Sequence, residues 1–208
     1  MKIKILLFII YLILFSFNSI AQNSERKFKI HTLAFYNLEN LFDTINDVNK
    51  NDEASPIMEI KFNRSGIYKQ KIANMAKVIS EIGYDVTNRP PTIVGICEVE
   101  NRKVVEDLIS DEKLKNYNYG IVHYESPDDR GIDVGLIFNK DVFKVKNSNS
   151  HDVFITGNNS SKRRNTRDQL VVSGLLDGEL IHIIVNHWPS RGADETKRIA
   201  AAEVNNSI

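Results

Sequence analysis

The sequence has a single cysteine, Cys97, in 208 residues, so no internal disulfide can form and stability must come from a packed core. It has no excess of either charge: 27 Lys and Arg face 27 Asp and Glu. That balance argues against a protein that holds nucleic acid by bulk electrostatics, and leaves room only for a local basic patch. No Cys/His pair shows the spacing of a zinc site. No internal repeat and no linker-like stretch interrupts the chain, so one domain is expected. With 42% hydrophobic and 26% charged residues, disordered and collagen-like classes are excluded.

The N-terminus has a short positive start at Lys2 and Lys4, then eleven apolar residues from Ile5 to Phe15. Ser19 and Ala21 follow as small residues two apart. This is the layout of a secretory signal peptide over residues 1–21, with cleavage before Gln22. An uncleaved anchor helix is the alternative, although the apolar run is short for a bilayer core that needs about 20 residues. Cleavage would leave 187 residues, 25 basic against 27 acidic. The expectation is therefore an exported protein, periplasmic or secreted, with no stable membrane anchor and residues 22–208 forming its domain.

Strand signals fall at Ile30–Asn37, Thr92–Val99, Tyr117–Tyr124 and Ile132–Phe138, with weaker ones at Val142–Val145 and Val153–Ile155. Tyr68, Ile72, Met75, Ile79 and Ile82 share one helical face, and Gly83 suits the position just past the helix end. Asn101 can cap a short helix. Leu170–Leu176 and Glu179–His187 flank Asp177-Gly178, a favoured two-residue hairpin turn. Asp194–Val204 reads as a helix and Asp43–Asn63 as a polar loop. The order predicts a layered α/β domain with a mixed sheet.

Polar residues concentrate at three strand ends: Asn37, Glu98 and His187. Such ends are where sites assemble, because the scaffold is rigid and loops can reach a substrate. Taken singly, each has an ordinary explanation. Asn37 is a common turn former. Glu98, at the end of a buried strand, is costly unless paired or metal-bound, so a structural salt bridge stays open beside a functional role. His187 lies beside the rigid Trp188-Pro189. Together they describe oxygen ligands beside an imidazole, a set preferring Mg²⁺, Mn²⁺ or Ca²⁺. Arg130 and Asp133 precede another strand. Lys162–Arg167 is the one dense basic cluster, either a solvated loop or a phosphate-binding one.

With those residues in view, the chain resembles the endonuclease/exonuclease/phosphatase superfamily, the DNase I-like metal-dependent phosphoesterases, and in particular its exported bacterial members. Four blocks carry the resemblance: Phe35–Asp43, Gly95–Glu100, Arg130–Val134 and Asn186–Arg191. It implies a four-layer α/β/β/α sandwich of two mixed β-sheets. It also implies in-line attack of water on a phosphoester with a Mg²⁺-class ion. Glu98 would be the metal ligand, Asn37 would lie beside metal and phosphate, and His187 would serve in proton transfer. Asp133 would support this His, and Arg130, Arg191 and Arg167 would face phosphate. Glu39 and Glu100 would be supporting or structural.

Two further blocks of that family, a Gly-Asp-x-Asn turn and a Ser-Asp-His, do not occur, and no histidine follows His187. The expectation is that the last part of the fold is missing, and that this polypeptide alone has weak or no activity. The leading function is a divalent-metal-dependent phosphodiester hydrolase, a nuclease acting on DNA or RNA. A phosphatase or phospholipase C-type enzyme is the alternative, and an inactive binding domain is the alternative outside enzymes. No protein partner is implied.

Overall fold

The computed structural model describes residues 28–156 and 163–208. The expected signal peptide, residues 1–21, lies outside the described residues, and so does Lys162. The chain divides into two units, residues 1–30 and 31–208, and the fold is that of the second. Its elements in order are β1 (Leu33–Leu41), α1 (Pro56–Glu59), α2 (Arg64–Glu81), α3 (Tyr84–Thr87), β2 (Ile93–Val99) and α4 (Arg102–Ile109). Then follow β3 (Tyr119–His123), β4 (Asp133–Asn139), β5 (Phe143–His151), β6 (Ile155–Thr156), β7 (Arg163–Arg164), β8 (Gln169–Leu176), β9 (Glu179–Val185) and α5 (Glu195–Ser207). Among the described residues no helix is long and apolar enough to cross a membrane.

One sheet has the order β1-β2-β4-β3, with β1 and β2 parallel and the other neighbours antiparallel. The second is antiparallel, β5-β8-β9, and β6 and β7 form a small ribbon. β2 and β4 are buried along almost their whole length because both faces are covered. On one face Val94, Ile96 and Ile137 pack with Ile72, Ala76 and Ile79 of α2 and Val104, Val105 and Leu108 of α4. On the other, Ile93, Cys97, Val134 and Leu136 meet Phe143, Leu170, Val172 and Val185 of the second sheet. The result is helices on a mixed sheet on an antiparallel sheet, three of the four expected layers. On β9 the outward Leu180, His182 and Ile184 are exposed, and no helix layer covers that face among the described residues.

Local signals account for most boundaries. Asn101 accepts the Val104 N–H at 3.1 Å as the cap of α4, and Asp194 accepts the Thr196 N–H at 3.1 Å as the cap of α5. Gly83 follows α2 with φ +66°, the left-handed stop expected there. Asp177 and Gly178, at φ +48° and +95°, form the expected tight turn of the β8–β9 hairpin. His182 is a sheet residue, its Nδ1 2.7 Å from Ser173 Oγ on the neighbouring strand.

Two expectations need correction. Asp43–Asn63 is not wholly loop: Asp52–Ala54 forms a 3₁₀ turn and α1 follows, with Ile57 packing against Phe42 and Ile132 in a small separate core. β5 runs nine residues rather than the four of Val142–Val145. Its polar Lys-Asn-Ser stretch is held by pairing to β8, with one side open to solvent.

Candidate active site

Glu98 does not keep the register of its strand. Cys97 pairs with Val134 and Val99 with Asp133, so Glu98 is the extra residue of a β-bulge. Its φ of +59° is left-handed, a conformation that costs a residue other than glycine about 1 kcal/mol or more. Beside it β1 makes a wider excursion. Asn37 pairs with Cys97 and Leu41 with Val99, and between them Glu39 and Asn40 also have positive φ, +51° and +57°. Strained backbone thus gathers at one end of two parallel strands.

The excursions bring polar groups into contact. Asn37 Nδ2 donates to Glu98 Oε1 at 3.0 Å, and the Asn40 N–H donates to Glu98 Oε2 at 3.0 Å. Asn37 Oδ1 accepts the Glu39 N–H at 2.7 Å, which fixes the amide orientation. Lys71 of α2 closes this turn, its ammonium donating to the Glu39 carbonyl and, at 2.9 Å, to the Asn40 carbonyl. Burial lowers the Lys71 pKa, opposed by the charges of Glu39 and Glu98.

His187 lies just past β9. Its Nε2 stands 3.3 Å from Glu98 Oε1, with side chains 21% and 19% exposed. Burial and then the Arg167 charge lower its pKa, against the raising effect of Glu98, so its imidazole is neutral at neutral pH. Arg167 holds the backbone there: Nε and Nη2 donate to the His187 carbonyl at 3.1 and 2.9 Å, and Nη2 also to the Trp188 carbonyl at 3.2 Å. Its Nη1 reaches Asp128 Oδ2 at 3.4 Å. A cleft of about 290 Å³ opens alongside, lined by Asp128, Arg130, Asn165, Arg167, Pro189 and Lys197.

The fold therefore brings Asn37, Glu98 and His187 together, with Arg130 and Arg167 at the neighbouring cleft. Arg167 spends its donors on carbonyls and Asp128, so it braces the His187 loop rather than facing outward as expected of a phosphate contact. Arg191 is exposed on the turn before α5, apart from these contacts. The expected support of His187 by Asp133 is not found among the described residues. Asp133 is fully buried, accepts the Ser126 N–H at 2.8 Å, and lies 3.1 Å from His123 Nε2 instead. Glu100 accepts the Asp43 N–H at 2.6 Å. Lys71, Asp128 and His123 were not found by sequence reasoning. Their partners lie 31 to 39 residues away for Lys71 and Asp128, and a lysine on a polar helix face or an Asp in a turn gives no local signal.

The sequence profile of the Endonuclease/Exonuclease/phosphatase family matches residues 32–208. The chain belongs to this family. Two solved structures of the family agree on the fold. A family member from Bacteroides vulgatus is 15% identical with a TM-score of 0.51, covering 84% of this chain and 58% of its own. Another from Bacteroides thetaiotaomicron is 13% identical with a TM-score of 0.50, covering 86% and 59%. A humanized D. rerio TDP2 is 14% identical with a TM-score of 0.49, covering 83% and 53%. The chain thus spans between 53% and 59% of the length of these structures. No curated protein matches the sequence.

Whether these residues fit a divalent cation can be judged from their own bonding. The Glu98 carboxylate accepts two hydrogen bonds, one per oxygen, and each oxygen keeps a further lone pair. The adjacent Cys97 thiol is pushed up to about 12 by burial and then by the Glu98 charge, so it offers no thiolate. The donors are hard oxygens beside a neutral imidazole, which fits a Mg²⁺-class ion. Asn37, with its oxygen engaged by Glu39, acts on Glu98 as a donor.

Proposed function

We propose that this protein is a divalent-metal-dependent phosphodiester hydrolase, a nuclease, working at Glu98, Asn37 and His187. The observation that carries the reading is the convergence of the Glu98 carboxylate with the Asn37 amide at 3.0 Å and the His187 imidazole at 3.3 Å, beside a cleft containing Arg130 and Lys197. Family membership gives the reaction class: water adds to phosphorus, one P–O ester bond breaks, and the leaving oxygen gains a proton. Glu98 would hold a Mg²⁺-class ion, which when bound would supply charge neutralisation for the reaction.

The chain's own groups do the rest. Asn37 and the Asn40 N–H fix the carboxylate, and Lys71 fixes the turn that carries them. Neutral His187 can take up a proton at Nε2 and, once protonated, return it to the leaving oxygen. Arg130 and Lys197 draw the phosphate into the cleft. Nucleic acid is the proposed substrate because Asn165, Thr166 and Arg167, the end of the one dense basic cluster in the sequence, line this cleft with Arg130 and Lys197.

The test is EDTA-sensitive, Mg²⁺-dependent hydrolysis of bis-p-nitrophenyl phosphate and plasmid DNA by the protein and by Glu98→Gln. Metal-dependent hydrolysis that is weak in this polypeptide, as its missing blocks predict, and lower still in the variant is expected. Equal activity in Glu98→Gln would overturn the site. Cleavage of phosphomonoesters or phospholipid headgroups alone would replace nuclease with phosphatase or phospholipase C-type activity.

A further inference from the structure

His123 ends β3, Asp133 begins β4, and Glu125 lies in the segment between them. One ligand-type atom from each of the three lies within 4.8 Å of the others. The His123 side chain is 3% exposed and that of Asp133 0%. Nε2 of His123 and Oδ2 of Asp133 stand 3.1 Å apart, yet each is buried with no hydrogen-bond partner among the described residues. The pair has the distance of a hydrogen bond without its directionality. Leaving two such atoms unsatisfied costs about 1–3 kcal/mol each, so something should meet them.

A cation does. Metal–ligand bonds of about 2.0–2.2 Å at tetrahedral to octahedral angles put neighbouring donor atoms roughly 3.0–3.5 Å apart, and the observed separation falls in that range. The Asp133 second oxygen is already tied down by the Ser126 N–H at 2.8 Å, which leaves Oδ2 as the free ligand. One imidazole with two carboxylates is a mixed nitrogen and oxygen set, which suits Zn²⁺ or Mn²⁺ over the all-oxygen preference of Mg²⁺ and Ca²⁺.

We propose that His123, Glu125 and Asp133 form a second, structural binding site for a divalent transition-metal ion of the Zn²⁺ or Mn²⁺ class. The ion staples the base of the segment Tyr124–Ile132. That segment carries Asp128, which pairs with Arg167, which in turn holds the His187 carbonyl. The site uses no residue assigned to hydrolysis and stands whether or not the phosphoesterase reading holds.

The test measures binding of Zn²⁺, Mn²⁺ and Co²⁺ alone to the metal-stripped full chain by calorimetry, with the d–d absorption of bound Co²⁺ as a signature of an imidazole–carboxylate site. The same titrations are made on Glu98→Gln, Glu125→Gln and His123→Asn. Glu125 is exposed, so its variant should fold even if His123→Asn does not. Binding of one ion that survives in Glu98→Gln and weakens at least about tenfold in Glu125→Gln is expected, the scale on which metal sites respond to losing support. No binding by the parent chain, binding unchanged in Glu125→Gln, or binding lost only in Glu98→Gln would each overturn the site. Mg²⁺-dependent hydrolysis is a separate readout, so the two readings can fail independently.

Discussion

Asn37 and Glu98 face each other across two parallel strands, amide nitrogen to carboxylate oxygen at 3.0 Å, and each sits where its strand leaves regular pairing. The contact exists only because both strands carry extra residues there. Glu98→Gln keeps the shape and removes the charge that a cation needs. Hydrolysis should fall by about two to three orders of magnitude, the scale of losing one preorganised electrostatic contact. Asn37→Asp sets carboxylate against carboxylate, and turnover should fall more than in Asn37→Ala. Steady-state rates on bis-p-nitrophenyl phosphate, with circular dichroism as the folding control, decide the order; Asn37→Ala being the worse variant would refute the donor role.

Arg167 should matter more to structure than to substrate affinity. Its guanidinium is 10% exposed and bridges the His187 and Trp188 carbonyls to Asp128, itself 5% exposed. A lysine is a point charge that cannot span three acceptors. Arg167→Lys should cost about 1–3 kcal/mol in urea unfolding and lower kcat through a displaced His187, with KM little changed. A rise in KM at unchanged stability would instead mark Arg167 as a direct phosphate contact.

Much of this was legible in the sequence where the cause is local. The α2 face, the cap Asn101, the stop at Gly83 and the turn at Asp177-Gly178 follow from neighbouring residues alone, and the structure keeps all of them. Asn37, Glu98 and His187 could be singled out because polar residues ended apolar strands. What sequence could not show are the bulges, since these depend on register with another strand. Asp133 illustrates the limit: its block suggested a partner in His187, while the β3–β4 pairing delivers His123.

Glu100 should make stability depend on pH. Burial, first among its causes, pushes its carboxyl up to about 7 from the usual 4.5, against the Asp43 N–H that lowers it. Between those values the folded chain holds a proton that the unfolded chain has released. The contribution of this group should therefore be full below about pH 4.5 and decline through about pH 7, by on the order of 3 kcal/mol. Glu100→Gln keeps an acceptor for the Asp43 N–H and cannot titrate, so its decline should flatten. Urea midpoints in EDTA at about pH 5 and about pH 7.5 make the comparison; parallel declines in both proteins would place the dependence elsewhere.

The β8–β9 hairpin contains two glycines that should resist substitution for different reasons. Gly178 has φ +95° and nothing within 4 Å of where a Cβ would sit, so Gly178→Ala pays only the backbone penalty, about 1 kcal/mol. At Gly174 a Cβ would lie 2.5 Å from the Phe143 ring and 2.7 Å from the Lys144 carbonyl oxygen. The ring is fully buried between the sheets and the carbonyl belongs to the paired β5 backbone, so neither can give way cheaply. Gly174→Ala should cost more, about 1–3 kcal/mol as overpacking does, and should loosen the β5–β8 pairing. Hydrogen exchange separates the two: faster exchange along β5 in Gly174→Ala, and only at the turn in Gly178→Ala. Equal protection along β5 in both variants would mean that the second sheet yields where its packing says it cannot.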